Sequence, residues 1–341
     1  MTKIKVAING LGRVGRAFFK LAVNHPEFDL VAVNDLGELD NLIYLLKYDS
    51  AYGRSGLKFE ARSGELVVGD KSVKFLQIKN PAELPWASLG VAVVVEATGR
   101  FESYEGARGH LTAGAHKVVV TAPLRGEPAP GVTGGTVLMG INDEQLGRTQ
   151  ISSNASCTTN AASPLIQILH EKIGIEKALL NTVHAYTASQ RLVDSPDAKD
   201  WRRGRAAAAN IIPSTTGAAI SVTEAIPDLK NKFDGIALRV PLLTGSIADI
   251  TFISKRPTSV IEVNTILREA EAEPRWQGIF TASDEPLVSS DIVGGAEASV
   301  ADLAFTKVVG GNLVKVLAWY DNEMGYAHTL VRHVIKTGQS S

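Results

Sequence analysis

Lys5-Val6-Ala7-Ile8-Asn9-Gly10-Leu11-Gly12-Arg13-Val14-Gly15 is the stretch on which the fold turns. A short β-type run passes directly into G-x-G-x-x-G. Residues Arg16 to Val23 then place Ala17, Phe18, Leu21 and Ala22 at helical spacing. A second strand, Leu30-Val31-Ala32-Val33-Asn34, ends on Asp35, twenty positions after Gly15. Isolated glycines of this kind occur in many turns. Between a strand and a helix, with an acidic residue closing the next strand, they define a dinucleotide-binding unit. Gly10 allows the tight turn, Gly12 lets the backbone approach a pyrophosphate, and Gly15 lets helix and strand pack closely. The pyrophosphate would rest on the helix N-terminus. A carboxylate at Asp35 accepts from a ribose 2′-hydroxyl and repels a 2′-phosphate, and Leu36, Gly37 and Glu38 supply no offsetting positive charge. The expected cofactor is therefore NAD rather than NADP.

Outward from that unit the α/β alternation continues. Val91 to Val95 is an unbroken apolar run, as expected of a parallel strand covered on both faces. It leads into Glu96-Ala97-Thr98-Gly99-Arg100-Phe101, at the strand end where open α/β sheets take ligands. A helix over Ser103 to Ala113 and a strand over Lys117 to Val120 follow, and Thr121-Ala122-Pro123 ends that strand. Leu124 to Gly135, rich in Gly and Pro, reads as a surface loop. Residues 1–152 are thus expected to form a doubly wound, Rossmann-type domain.

The texture then changes. Candidate strands Lys177 to Ala185, Gly235 to Val240, Ile247 to Ser254, Leu303 to Val309 and Val314 to Tyr320 are of a kind to pair antiparallel, the last two joined by the turn Gly310-Gly311-Asn312. Helices fit Thr216 to Ala225 and Ser259 to Ala272. The expected fold is α/β overall: the Rossmann domain, completed by a C-terminal helix at 326–338, plus an α+β catalytic domain at 153–325 with a mostly antiparallel sheet. Thr187 to Asn210 lacks strand periodicity and carries Arg191, Lys199, Arg202, Arg203 and Arg205. It reads either as a solvated basic loop or as an ordered loop serving an anion site or a subunit interface.

Composition narrows the function. The 341 residues carry a formal charge of −1, with 45% hydrophobic and 21% charged residues, which gives no general attraction to nucleic acid or anionic membrane. No apolar run approaches the ~20 residues that span a bilayer. The N-terminus lacks the pattern of a signal peptide, so the cytoplasm is the expected compartment. A single cysteine, Cys157, excludes an intramolecular disulfide.

Cys157 stands in Ser153-Asn154-Ala155-Ser156-Cys157-Thr158-Thr159-Asn160, ahead of the apolar segment Pro164 to Leu169. Ser156 can cap a helix there, and Pro164 is expected only near the helix start. A thiol at a helix N-terminus is biased toward thiolate, whereas an ordinary free cysteine is a small buried hydrophobe. A nucleophile needs a partner. Among the seven histidines, His184 stands out because it ends a strand beside the polar run Ala185 to Gln190. A nucleophilic thiol combined with a dinucleotide fold points to aldehyde oxidation through a hemithioacetal and a thioester, released by water or phosphate. No His/Cys/Asp cluster has metal-ligand spacing.

Over nearly its whole length the chain resembles the phosphorylating glyceraldehyde-3-phosphate dehydrogenases. The resemblance rests on Ile8 to Arg16, Val33 to Leu36, Leu46 to Ser50, Ser153 to Asn160, Ile211 to Ala219, Ala237 to Pro241 and Trp319 to Glu323. It implies Cys157 as nucleophile and His184 as its activator. It implies Ser156, Thr158, Thr187, Arg203, Thr216, Gly217 and Arg239 as holders of two phosphates, one on the substrate and one inorganic. For NAD it implies Gly10, Gly12, Arg13, Val14, Asp35, Thr121 and Asn322, with Lys79 as a looser adenine-side match. It further implies glyceraldehyde 3-phosphate and inorganic phosphate as partners, a place in glycolysis and gluconeogenesis, and a homotetramer with no nucleic-acid or membrane partner. The chain departs from the family pattern at Ala185, Ala188-Ser189, Ser195, Met324 and Ala161, the last standing where many members carry a second cysteine. Other readings are erythrose-4-phosphate dehydrogenase, a semialdehyde dehydrogenase, or a non-catalytic binding protein on the same fold.

Overall fold

The computed structural model describes residues 2–198 and 200–340; Lys199 of the basic segment lies outside the described residues. The chain forms two compact units, Met1–Ala155 with Ala327–Ser341, and Ser156–Tyr326.

The first unit is built on a nine-stranded sheet. In chain order its elements are β1 (Ile4–Asn9), α1 (Arg13–Ala22), β2 (Phe28–Asn34), α2 (Leu39–Lys47), β3 (Phe59–Arg62), β4 (Glu65–Val68), β5 (Lys71–Leu76), β6 (Val93–Glu96), α3 (Tyr104–Thr112), β7 (Lys117–Val120), β8 (Gly134–Thr136) and β9 (Ile151–Ser153). The strand order is β8-β9-β7-β6-β1-β2-β5-β4-β3. All neighbours are parallel except β5-β4-β3, an antiparallel meander at one edge. From β1 the chain runs outward to one side through β2, then returns to the other side of β1 with β6. That reversal opens a crevice at the carboxyl ends of β1 and β6. Two neighbouring apolar clusters pack against the sheet, one around Ala7, Trp86 and Val94 and one around Ala107, Val118 and Ile151. The Gly- and Pro-rich loop ends earlier than its composition suggests, because Gly134 and Gly135 already pair with Ile151 and Ser152 in β8.

The second unit has an eight-stranded sheet. It contains α4 (Cys157–Ile173), β10 (Ile175–Ala185), β11 (Ile212–Thr215), α5 (Ala218–Ala225), β12 (Phe233–Val240), β13 (Ser246–Ser254), α6 (Val260–Glu271), β14 (Phe280–Ser283), β15 (Ser299–Asp302), β16 (Lys307–Val309) and β17 (Leu313–Tyr320). The order is β11-β12-β10-β13-β17-β15-β14, with β16 on β17. Most pairs are antiparallel, but β10 and β12 run parallel, as do β14 and β15. The mostly antiparallel sheet expected for this half is what forms, with these two parallel pairs within it. The strand expected over Leu303 to Val309 is shorter: Leu303–Phe305 is a 3₁₀ turn, only Lys307–Val309 is strand, and Ser299–Asp302 just before it is a further strand of the sheet. The helix α7 (Met324–Gln339) closes the chain. Its His333 bonds Ser152 and Asn154, and Lys117 Nζ donates to the Leu146, Thr337 and Ser340 carbonyls, which fixes the C-terminus in the first unit. Among the described residues no helix is long and apolar enough to cross a membrane.

Candidate active site

Cys157 is the first residue of α4. Ala155 before it adopts φ +52°, a left-handed conformation in a non-glycine residue, and turns the chain sharply from β9 into the helix. Ser156 caps the helix by accepting from the Thr159 amide at 3.1 Å. The helix runs on through Pro164, its eighth residue, against the expectation that proline marks the start. An internal proline forfeits the bond to the Asn160 carbonyl and costs ~3 kcal/mol. The unbroken burial from Thr158 to Ile166 keeps the segment helical nonetheless.

His184 reaches the thiol because β10 and β12 are parallel and in register, with His184 beside Arg239 at their carboxyl ends. Its Nε2 lies 3.3 Å from Cys157 Sγ. Nδ1 has two neighbours, the Ala185 carbonyl at 2.6 Å and Arg239 Nη1 at 2.6 Å. They ask for opposite tautomers. Arg239 has only donors, and its Nη1 also donates to the Ala185 carbonyl at 3.1 Å. In the resting arrangement Nδ1 therefore accepts from Arg239, and the Nε2–H faces the sulfur. Burial, reinforced by the Arg239 charge, pushes the His184 pKa down to about 3. For Cys157 the expected bias toward thiolate is overturned. Burial of the thiol dominates and raises its pKa, against the opposing pull of Arg239 and of hydrogen bonds from Thr158. The resting pair is neutral.

Around this pair stand the anion-site candidates. Arg203 bonds Ser214 through Nε at 3.0 Å and Nη2 at 2.7 Å. Burial pulls the Arg239 pKa down, and the Arg203 charge adds to that. Arg239 Nε is buried without a partner. Thr216 Oγ1 accepts from the Ala218 amide and Gly217 caps α5, where an added Cβ would meet nothing within 4 Å. Thr187 is tied to Gln190 and Ser189. Thr158 turns its hydroxyl inward, 2.9 Å from Tyr320 Oη, which in turn lies 2.7 Å from Thr182 Oγ1. Tyr320, edge-on to His184, is a site residue that the reading of the sequence passed over; only its place in Trp319 to Glu323 hinted at it.

Asn322 is orientated by three donors on its Oδ1: the Gly245 amide at 3.1 Å, the Ser246 hydroxyl at 3.0 Å and the Thr244 hydroxyl at 3.4 Å. That leaves its amide nitrogen to donate to another group. Asp321 beside it accepts from the Glu323 and Met324 amides at the start of α7.

In the first unit a cleft of about 810 Å³ opens at the carboxyl ends of β1 and β6, lined by Gly10, Gly12, Asp35, Lys79 and Thr98 among others. It fits a dinucleotide. An added Cβ on Gly12 would come no nearer than 4.0 Å to any protein atom, so the space in front of it is open. α1 begins without a side-chain cap or an acidic first turn, which leaves its amides for an anion. Asp35 accepts from the Leu11 amide at 2.7 Å and the Gly37 amide at 2.8 Å, and so shapes the glycine turn as well as facing the cleft. Arg13 turns its side chain to Asp49 at 2.7 Å, Val14 lies in the first turn of α1, and Thr121 donates to the Glu96 carbonyl at the end of β7.

A doubly wound dinucleotide unit joined to an α+β unit bearing a Cys–His pair defines an NAD-dependent oxidoreductase of the thiol class. Residues 4–104 match the family described as glyceraldehyde 3-phosphate dehydrogenase, NAD binding domain, and residues 156–322 match its C-terminal domain. The chain is 44% identical to the glyceraldehyde-3-phosphate dehydrogenase of Geobacillus stearothermophilus, covering 96% of each chain. It is 45% identical to those of Mycobacterium avium and Mycolicibacterium smegmatis, covering 99% of each. The chain belongs to the glyceraldehyde-3-phosphate dehydrogenase family.

Proposed function

We propose that the residues around Cys157 oxidise D-glyceraldehyde 3-phosphate to 1,3-bisphosphoglycerate, reversibly and with NAD. The observation that carries this reading is the 3.3 Å approach of His184 Nε2 to a thiol at the start of a long helix. Arg239 and Arg203 supply forked donors for phosphate, with Ser156, Thr158, Thr187, Thr216 and Gly217 offering amides and hydroxyls. Gly10, Gly12, Arg13, Val14, Asp35, Thr121 and Asn322 hold NAD, and Lys79 faces its adenine side. Bound NAD supplies the hydride acceptor.

His184 has a second partner ready for the chemistry. When an anion draws Arg239 away, the Ala185 carbonyl can receive an Nδ1–H, which frees the Nε2 lone pair to take the thiol proton. The thiolate then attacks the aldehyde carbon, forming the C–S bond, and the imidazolium returns its proton to the oxyanion. Hydride leaves that carbon as the hydroxyl proton passes back to His184, giving the thioester. A phosphate oxygen attacks the acyl carbon, the C–S bond breaks, and the acyl phosphate leaves with Cys157 restored as thiolate. A turnover assay with and without inorganic phosphate, run with NAD and with NADP, tests the reading. Undiminished turnover without phosphate would favour hydrolysis, the erythrose-4-phosphate dehydrogenase outcome, and a preference for NADP would overturn the role of Asp35.

Assembly into a homotetramer is supported by surface that a single copy leaves uncovered. Leu192, Val193 and Trp201 are 79%, 72% and 87% exposed on the irregular segment, and Leu179, Ile236 and Leu313 stand on the open face of the second sheet. Sedimentation of the purified chain tests it. The cytoplasm suits a mechanism that depends on a reduced thiol, and fractionation of the source cells tests that placement.

A further inference from the structure

Beneath the cofactor cleft lies a buried polar chain to which the thiol chemistry assigns no task. Three neighbouring parallel strands end on one rung: Glu96 of β6 pairs with Asn9 of β1, and Asn9 pairs with Asn34 of β2. All three are buried polar residues, Glu96 only 2% exposed. Such groups are costly to bury unless every one finds a partner, and here each does. Glu96 Oε2 accepts from Asn9 Nδ2 at 2.5 Å and from His110 Nε2 at 2.9 Å. The His110 tautomer is fixed because its Nδ1 accepts from the donor-only indole of Trp86 at 3.0 Å. Glu96 Oε1 accepts from both the amide and the hydroxyl of Thr98. In turn Thr98 Oγ1 accepts from the Arg100 amide at 3.1 Å. On the other side Asn9 Oδ1 accepts from Asn34, whose amide grips the backbone of Ile78 twice, through N at 2.8 Å and O at 2.9 Å.

The two ends of this chain are the two walls of the cleft. Thr98, Arg100 and Phe101 line it beyond Glu96, Ile78 to Pro81 line it beyond Asn34, and Asp35 lines it as well. We propose that Glu96 is a positioning residue for cofactor binding, one carboxylate that sets both walls of the adenosine end of the cleft through Thr98 on one side and Asn9, Asn34 and Ile78 on the other. The inference rests on the reading that this cleft takes the adenosine half of NAD. A glutamine at position 96 has one oxygen and an NH₂, so it cannot accept from Asn9, His110 and both Thr98 donors at once. One wall must lose its anchor, and the loss passes to the other through Asn9.

The test uses the full-length chain, with AMP and NAD affinities measured by calorimetry and exchange of the Thr98 and Ile78 amides followed by deuterium labelling. Glu96→Gln is expected to weaken AMP and NAD alike by about tenfold, the scale of one lost hydrogen bond to a charged group. Both amides exchange faster, while the alkylation rate of Cys157 without nucleotide is unchanged. AMP affinity within about twofold of the unaltered chain, or faster exchange at Thr98 alone, overturns the proposal, because a carboxylate that only stabilises the fold would leave ligand affinity where it was. If the unaltered chain fails to bind AMP, the cleft reading falls and takes the proposal with it; if the unaltered chain binds and Glu96→Gln binds equally, only the role of Glu96 falls. Should Glu96→Gln not fold, Trp86→Phe removes the indole donor behind His110 from a site outside the cleft. An AMP affinity lowered about threefold supports the chain, and an unchanged one refutes it.

Discussion

Two alanine substitutions, Gly12→Ala and Gly15→Ala, separate ligand clearance from packing within one motif. Gly12 sits at φ −65° and ψ −165°, an extended conformation open to any residue, and its added Cβ would stand 4.0 Å from the Ala97 carbonyl with nothing closer. Alanine there should leave the fold untouched and gain a few tenths of a kcal/mol from the unfolded side. The methyl would instead stand where a pyrophosphate approaches the first-turn amides of α1. Losing one charge-assisted hydrogen bond costs about 1.5–3 kcal/mol, or roughly ten- to hundredfold in NAD affinity. Gly15 is the opposite case. Its added Cβ would lie 1.9 Å from the Gly10 carbonyl oxygen, far inside contact, and backbone on both sides must give way. Overpacking of that severity costs about 3 kcal/mol, which for a unit of this size lowers the melting temperature by roughly 6–12 °C. Thermal melts and NAD titrations of both variants distinguish the two roles. Gly12→Ala that binds NAD within about twofold of the unaltered chain would refute the placement of the pyrophosphate, and Gly15→Ala that melts normally would refute the packing argument.

Other outcomes follow from the thiol site and the buried histidines. Cys157→Ser should abolish turnover while NAD still binds in calorimetry; retained dehydrogenase activity would remove the covalent mechanism. His184→Asn should lower kcat by about 10²–10⁴ with little change in NAD affinity, as expected for a lost acid–base group. Phosphate or sulfate should speed alkylation of Cys157 at neutral pH by drawing Arg239 off His184 Nδ1, and an anion-independent rate would speak against that coupling. Stability should fall on acidification. His184 and His333 are both held by burial at about 3 against an ordinary 6.5, so between those values the unfolded chain binds more protons. Their contribution is full above about pH 6.5 and is lost as the pH falls toward 3, with about 2 kcal/mol gone for each by pH 5. Denaturant unfolding across that range checks it, and His333→Gln should remove about half of the slope.

Local patterns made much of this legible. The glycine motif with Asp35 fixed β1, α1 and β2 because each glycine answers a steric need within a few residues. Ser156 as a cap was readable for the same reason. His184 was readable as the histidine ending a strand, but its contact with Arg239 depends on the parallel register of β10 and β12, segments some fifty residues apart in the chain. No spacing rule carries that. The 3₁₀ turn at Leu303–Phe305 and the helical Pro164 are places where tertiary packing outweighs local preference. The thiol's direction of shift was misjudged because helix position is visible in sequence, whereas desolvation belongs to the finished fold. The Glu96 chain was hidden likewise: Asn9, Asn34 and Glu96 looked like three unrelated strand ends until the sheet set them on one rung.

Ala161 lies one turn beyond Cys157 on α4, fully buried, in a chain with no other cysteine. Its consequence concerns damage rather than turnover. Peroxide converts a thiolate to sulfenic acid, which is rescued when a second thiol condenses with it and is otherwise open to irreversible sulfinic and sulfonic acids. This chain holds no resolving partner of its own. Recovery after an oxidative pulse must come from small-molecule thiols or another protein, so the surviving fraction of enzyme should track the thiol supply of the surrounding medium.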